Sequence, residues 1–342
     1  MCFKKLTCLI TFLLFSLLSE CFLSHAYSWS FFYTTPEKSP KETFVTFYYT
    51  LGIQLAARGQ ILSAETFLKR CTELQPNKAE IHLSYASVLE ALDRLELAEQ
   101  SYKMAIALDP SLVAAHYNLG LLYDKLDRLD EGILALKSAL LHAENNQLLN
   151  YDLGVLYSKK LDYQNAALYT KRAIDSGQPF AESYNNYAYA LAHLGQLDQA
   201  MIAVERSLLL QPESAASIDT KGFILYKMKR YAEAVEVYRK AIQLDPTIGE
   251  IHLHWAQVHQ ALDQPEQALA GYENYLRLTP DAPDHQAVRE LIKELKTKMD
   301  APLQTAPASL QTPKPTSNSQ IKPALRTPYT LLGEPSPSLQ GT

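Results

Sequence analysis

The 342-residue chain has few cysteines, no excess of positive charge and none of the common catalytic motifs. Three of its four cysteines, Cys2, Cys8 and Cys21, lie near the N-terminus, so Cys71 alone remains beyond them, which excludes an internal disulfide or a cysteine metal cluster there. The formal net charge of −5 argues against a nucleic-acid binder, which would need a basic stripe. No GxSxG, phosphate-binding loop or HExxH occurs. The sequence therefore predicts a protein that is not an enzyme and has no cofactor or metal.

What the sequence does contain is a 34-residue self-similarity that runs seven times from Val45 to Ala282 without insertion or deletion. A fixed period of this length is typical of stacked supersecondary units. If the positions of each repeat are numbered as columns 1 to 34, columns 8 and 20 are Gly or Ala in all seven repeats. The repeats span 45–78, 79–112, 113–146, 147–180, 181–214, 215–248 and 249–282.

Each repeat has the pattern of two helices. Columns 4, 7, 8 and 11 share one helical face, and so do columns 20, 24 and 27. Small residues at columns 8 and 20 would let the two helices approach closely. Column 15 is Gly or Asp in five repeats, which suits a turn. Column 32 is proline in five repeats, and proline would end the second helix. The pattern predicts an all-α fold.

The chain resembles the tetratricopeptide repeat (TPR) family in segments such as HYNLGLLY from His116 and RYAEAVEVYRKAIQLDP from Arg230. The seven repeats cover 238 of the 342 residues. The resemblance implies a right-handed α-solenoid of seven helix pairs with a C-terminal capping helix. Lys221 at column 7 and Thr170 at column 24 depart from the family pattern and affect local packing only.

The resemblance also implies that the first helices line a concave groove that binds a protein or peptide. Columns 5, 6, 9 and 12 supply its candidate residues, and aromatic side chains there are typical anchors of protein interfaces. Two alternatives stay open: the rings pack back as extra core, and column 6 merely borders solvent. Columns 2, 5, 6 and 9 contain no Lys or Arg, which disfavours a clamp for a C-terminal carboxylate. The candidate peptide-binding residues are Tyr49, Tyr117, Asn118, Tyr151, Asn185, Asn186, Tyr189, Phe223 and Tyr226.

The two ends of the chain differ from the repeats. Lys4 and Lys5 precede an apolar run, and Ser24-His25-Ala26 follows it, so residues 1–26 are expected to be a signal peptide or an uncleaved membrane anchor. Residues 27–44 read as an aromatic and polar linker that could rest on a membrane surface. Residues 283–299 are expected to form the capping helix, and the Pro/Ser/Thr-rich residues 300–342 a disordered tail.

These features predict an exported TPR scaffold, located in a bacterial periplasm or envelope, that binds a protein or extended peptide during assembly of an envelope complex. One alternative is an enzyme or enzyme subunit with a metal site near His252 and His254. These two histidines are expected to point to different sides of one helix, which disfavours a shared metal. Another alternative is a spacer that presents a functional C-terminal tail. The oligomeric state is left open.

Overall fold

The computed structural model describes residues 39–300, and within that range fifteen helices and no strands occur. This confirms the all-α fold class. The predicted signal peptide or anchor at residues 1–26, the linker as far as residue 38 and the tail from residue 301 lie outside the described residues. Among the described helices, none combines the length and apolar character needed to cross a bilayer.

The chain divides into two compact units, the first ending at Pro110 and the second beginning at Ser111. In the first unit, α2 packs against α1 and α3, and α4 packs against α3. The first unit contains α1 (Pro40–Ala57), α2 (Ile61–Leu74), α3 (Ala79–Ala91) and α4 (Leu95–Leu108).

The second unit holds five further helix pairs and a terminal helix, α15, which packs against α14. Its helices are α5 (Val113–Lys125), α6 (Leu129–Leu140), α7 (Gln147–Lys159), α8 (Tyr163–Asp175), α9 (Ala181–His193), α10 (Leu197–Leu210), α11 (Ala215–Lys227), α12 (Tyr231–Leu244), α13 (Gly249–Ala261), α14 (Pro265–Leu278) and α15 (His285–Asp300).

The first helices of the repeats form a row in the second unit. Besides its own second helix, α9 contacts α7 and α11, and α11 also contacts α13. We call this row of first helices the inner row. Because it carries columns 5, 6, 9 and 12, the candidate peptide-binding residues of this unit lie on neighbouring helices.

The first helix begins at Pro40, earlier than the start at Val45 expected from the repeat. The reason is a capping box, in which Ser39 and Glu42 satisfy each other's backbone amides and Pro40 occupies the first helical position. Later first helices begin at column 1 of their repeats, as at Ala79, Val113 and Ala181.

The turn between the two helices of each repeat has the same backbone conformation throughout. Column 15 has a positive φ in all seven repeats, from 56° at Asp263 to 77° at Gly195. Leu161 and Lys229 adopt it as well, with φ of 61° and 60°, although neither residue type favours that region. The position in the repeat therefore imposes the left-handed backbone conformation at these two turns, against the preference of the residue type.

Small residues at column 8 are required by the packing of the two helices. A Cβ added to Gly222 would lie 2.6 Å from the ring of Tyr238, which occupies column 24 of the same repeat. A Cβ on Gly154 would lie 2.4 Å from Thr170 Cγ2 and 3.1 Å from its backbone nitrogen. Thr170, the departure at column 24, is fully buried, and its hydroxyl donates to the Ala166 carbonyl at 2.6 Å.

Column 27 is also buried. Cys71 is fully buried there, with its Sγ 3.7 Å from the Val45 carbonyl oxygen, and Ser207 makes the equivalent bond to the Ala181 carbonyl at 2.7 Å. Burial raises the pKa of the Cys71 thiol to about 11, so the thiolate needed for reactivity is scarce at neutral pH.

Candidate functional site

Hydrogen bonds link column 5 of one repeat to column 6 of the next. In the first unit, the hydroxyl groups of Tyr49 and Ser84 lie 2.9 Å apart. In the second unit, the Tyr117 hydroxyl donates to Asp152 Oδ2 at 2.8 Å. We call each pair of column 5 with the following column 6 a rung. In these repeats, column 6 bonds to the preceding repeat and does not merely border solvent.

A third rung is charged. His254 Nδ1 donates to Asp219 Oδ1 at 2.9 Å, and the Asp219 carboxylate is completely buried. Burial disfavours the imidazolium of His254, but the charge of Asp219 and the hydrogen bond to it outweigh burial and raise the pKa of His254. The pair is therefore an internal ion pair whenever His254 is protonated.

One pair between these repeats makes no hydrogen bond, and we call it the open rung. The same register pairs Asn185 with Thr220, yet Asn185 Oδ1 and Thr220 Oγ1 are buried without a hydrogen-bond partner in the described residues. On the neighbouring column 6 position, Asn186 Nδ2 is also buried without a hydrogen bond of normal geometry. Its side chain interacts with the Tyr151 hydroxyl of the preceding repeat and opposes the rise in the pKa of Tyr151 that burial causes. Three polar atoms on α9 and α11 are thus desolvated without a compensating bond, which is uncommon in folded proteins.

Aromatic rings surround this part of the inner row. The ring of His193 stacks on Tyr163, with 4.0 Å between centroids and 9° between planes, and meets Tyr189 edge-on at 4.5 Å. Phe223 adds a ring 5.7 Å from Tyr189 and 5.0 Å from His193. Lys227 Nζ lies 5.3 Å from the Phe223 centroid, within cation–π range. We call Tyr163, Tyr189, His193 and Phe223 the aromatic cluster.

The aromatic cluster keeps its histidine neutral. Burial, followed by the positive charges of Lys227 and His254, lowers the pKa of His193 to about 4. The Nε2 atom of His193 is buried without a partner in the described residues. Burial, followed by the neighbouring Tyr163 and Asp219, raises the pKa of Tyr189 above its usual range, so this phenol stays protonated. The inner row here combines neutral aromatic surface with unsatisfied polar atoms.

The structure places the nine predicted residues on first helices but does not expose them equally. Five are buried: Tyr117, Tyr151, Asn185, Asn186 and Tyr189. Tyr49, Asn118, Phe223 and Tyr226 are half-buried. Most of the predicted tyrosine rings therefore contribute to packing, as one of the two alternatives held, and whether any of the nine binds a peptide stays a prediction. Tyr163 and His193 were not among them.

Lys221, the departure at column 7, forms an ion pair with Glu205 in a cleft of the second unit. Its ammonium lies 3.3 Å from Glu205, in a cleft of about 550 Å³ between α10, α11 and α12. The cleft is lined by charges of both signs, including Arg230 and Glu233. It is separate from the aromatic cluster and shows no preference for one ligand charge.

The histidines proposed as metal ligands are engaged in separate contacts. His252 Nε2 donates to the Pro246 carbonyl at 3.1 Å, and His254 Nδ1 donates to Asp219 Oδ1 at 2.9 Å. Over residues 39–300, no three His, Cys, Asp or Glu side chains are grouped so that they could hold a metal ion.

Consecutive helix pairs with a 34-residue period define an all-α repeat scaffold. The chain belongs to the tetratricopeptide repeat family. Family models described as "Tetratricopeptide repeat" match residues 113–146, 181–214 and 225–292, and one described as "TPR repeat" matches residues 87–127. These models describe repeats, and none of them describes a catalytic domain.

Curated relatives share short stretches with the chain. Hsp70-Hsp90 organizing protein 1 of Glycine max is 28% identical over 93 residues, which are 27% of this chain and 16% of the relative. Small glutamine-rich tetratricopeptide repeat-containing protein 2 of Mycosarcoma maydis is 29% identical over 86 residues, 25% of this chain and 24% of the relative. Each match spans less than a quarter of the relative's length.

Solved structures resemble the chain over a longer range. A tetratricopeptide repeat protein from Parabacteroides merdae aligns with a TM-score of 0.59 at 15% identity, over 74% of this chain and 99% of that one. PilW, described as a type IV pilus biogenesis factor, aligns with a TM-score of 0.53 at 18% identity, over 62% and 98% of the two chains. At these identities the likeness concerns the fold alone.

Proposed function

We propose that the chain is an exported adaptor that binds an extended segment of a protein partner along the inner row of its second unit. The open rung is the observation that carries this proposal. An unsatisfied buried polar group lowers the stability of the fold by about 1–3 kcal/mol. A ligand that formed hydrogen bonds with these three atoms would remove this loss of stability.

A peptide backbone can supply the hydrogen-bond donors and acceptors that the open rung lacks. The amide atoms of Asn185 and Asn186 are buried, so binding requires their side chains to turn towards the groove. An amide N–H of the peptide would then donate to Asn185 Oδ1, and a carbonyl would accept from Asn186 Nδ2. The half-buried rings of Phe223 and Tyr226 lie on the same helix as Thr220 and offer apolar surface for alternate side chains of the segment. An extended peptide is therefore favoured over a small polar molecule.

The residues at columns 2, 5, 6 and 9 favour an internal segment over a free C-terminus. No Lys or Arg occupies columns 2, 5, 6 or 9, and a terminal carboxylate would lie near the carboxylates of Asp152 and Asp219. The name of the Hsp70-Hsp90 organizing proteins refers to the partners Hsp70 and Hsp90. The residues at columns 2, 5, 6 and 9 give no support for the same partners here.

A displayed library of random peptides, selected on the full chain, tests the proposal. Selected peptides are then titrated against Asn186→Leu and against the double variant Asn185→Leu with Thr220→Val. Each variant replaces an unpartnered amide or hydroxyl by an apolar group of similar size. We expect affinity to fall by about tenfold or more, which corresponds to the loss of one or more hydrogen bonds.

Asn150→Leu is the matched control. Asn150 is also a buried asparagine with an unpartnered Oδ1, but it lies at column 4, away from the open rung. Peptide affinity should be unchanged in this variant. A library that yields no binder, or binders that tolerate all the inner-row substitutions, would refute the proposal.

Export and a role in assembling an envelope complex are the broader part of the proposal. They rest on the sequence of residues 1–26, where lysines, an apolar run and small residues follow one another. The mass of the mature N-terminus, measured on the protein recovered from each cell fraction, tests export directly. A full-length N-terminus in the cytoplasmic fraction would contradict it. Deletion of residues 301–342 tests the spacer alternative, which requires partner binding to be lost.

A further inference from the structure

Exposed aliphatic side chains form a stripe on the second helices of three consecutive repeats in the second unit. At column 22, Leu134 is 68% exposed, Leu168 45% and Ile202 63%. Two helical turns further on, at column 29, Leu141 and Leu209 are 82% and 71% exposed. Residues seven apart lie on the same helix face, so the five side chains form one surface, which we call the outer stripe.

The outer stripe is confined to these repeats. Column 22 is Thr66, Gln100, Glu236 and Ala270 in the others, so the repeat pattern itself does not require an aliphatic residue there. Single exposed leucines are ordinary, but an ordered group of them on the surface of a soluble protein marks an interaction site. The stripe lies on second helices and is independent of the inner row.

The charged residues beside the stripe could pair with those beside the same stripe on a second copy of the chain. On α6, Glu131 lies three residues before Leu134 and Lys137 three residues after it. On α10, Asp198 lies four residues before Ile202, and Arg206 lies four residues after it. All four charged side chains are exposed. An antiparallel copy of α6 or of α10, paired at column 22, would therefore set acid against base, although Glu131 also pairs with Arg128 of its own chain. On α8, Asn165 and Lys171 flank Leu168, so this helix adds no such pair.

We propose that the outer stripe docks on the outer stripe of a second copy of this chain, about a two-fold axis that runs along the stack of repeats. The axis pairs each column 22 residue with itself. It places Glu131 opposite the second copy's Lys137, and Asp198 opposite the second copy's Arg206. A two-fold contact of this kind is self-complementary and closes at a dimer.

Cysteine cross-linking of the full chain tests the two-fold arrangement. Cys2, Cys8 and Cys21 are first replaced by serine, and Cys71 is buried. Single cysteines are then placed by Leu134→Cys, Leu168→Cys and Ile202→Cys. Under mild oxidation each should form a disulfide-linked dimer. Ala270→Cys, exposed at the same column of another repeat, is the matched control and should stay monomeric.

Charge reversal separates specific docking from adhesion of apolar surfaces. In the Leu168→Cys background, Asp198→Arg should reduce the cross-linked fraction at least fivefold, and Asp198→Arg with Arg206→Asp should restore it. No dimer at any stripe position, equal cross-linking at Ala270→Cys, or a product of another mass would overturn the proposal. Peptide binding by the inner row is measured separately, so a monomeric chain that still binds peptide refutes only the dimer.

Discussion

The neutral histidine of the aromatic cluster makes stability depend on pH in a defined window. His193 has a pKa of about 4 in the folded chain and an ordinary value near 6.5 when unfolded. Between these values the unfolded chain binds a proton that the folded chain does not. Stability is therefore complete above about pH 6.5 and falls as the pH drops towards 4.

The size of this loss follows from the shift. A change of 2.5 in pKa corresponds to at most about 3.4 kcal/mol, and partial exposure of the His193 ring reduces the expected loss to about 2 kcal/mol. His254 acts in a different window. Because Asp219 raises its folded pKa, its contribution is complete below about pH 6.5 and is lost as the pH rises through that folded pKa.

His193→Phe retains a ring for the stacking on Tyr163 and removes the titration. Urea unfolding of wild type and variant at pH 7 and pH 4.5, followed by the same fluorescence signal, gives the two pH dependences. The variant should lose about 2 kcal/mol less than wild type over this range. His142→Phe, at an exposed position of the same unit, should behave as wild type. Equal losses in wild type and His193→Phe would refute the reasoning.

Three further substitutions test local packing, each by urea unfolding against wild type. Lys229→Gly should stabilise by about 0.5–1 kcal/mol, because relief of the left-handed conformation exceeds the added backbone entropy; destabilisation would contradict this. Gly222→Ala should destabilise by about 1–3 kcal/mol, because its Cβ would meet the Tyr238 ring at 2.6 Å; an unchanged midpoint would show that the ring yields freely. Asn186→Leu should stabilise the fold by about 1 kcal/mol while weakening peptide binding, since it removes an unpartnered amide nitrogen. A variant that lost both stability and peptide affinity would show that Asn186 has a structural role.

The repeat made the fold predictable from sequence. Invariant small residues at columns 8 and 20 identified the close helix contact, and the period set the starts of most first helices. The repeat register by itself places the start of the first helix at Val45, whereas α1 begins at Pro40. The Ser39–Glu42 capping box was present in the sequence and could have been recognised. The positive φ of Leu161 and Lys229 could not be read from residue type, since register alone imposes it.

The candidate site was predictable only in part. The columns that face the inner row followed from the family pattern, but burial of Tyr117 and Tyr189 depends on how neighbouring helices pack. The rungs join side chains 35 residues apart, and polarity at column 6 does not reveal whether a bond is made. His193 lies at column 13, and its stacking on Tyr163 of the preceding repeat had no signal in either residue alone.

Binding at the open rung is tested most directly by locating a bound peptide. A library-selected peptide that carries a photoreactive group is cross-linked to the full chain, and the attachment sites are mapped by mass spectrometry. Cross-links concentrated on α9 and α11, abolished by Asn186→Leu and retained in Asn150→Leu, are the predicted result. Cross-links that fall on second helices, or that are indifferent to Asn186→Leu, would contradict it.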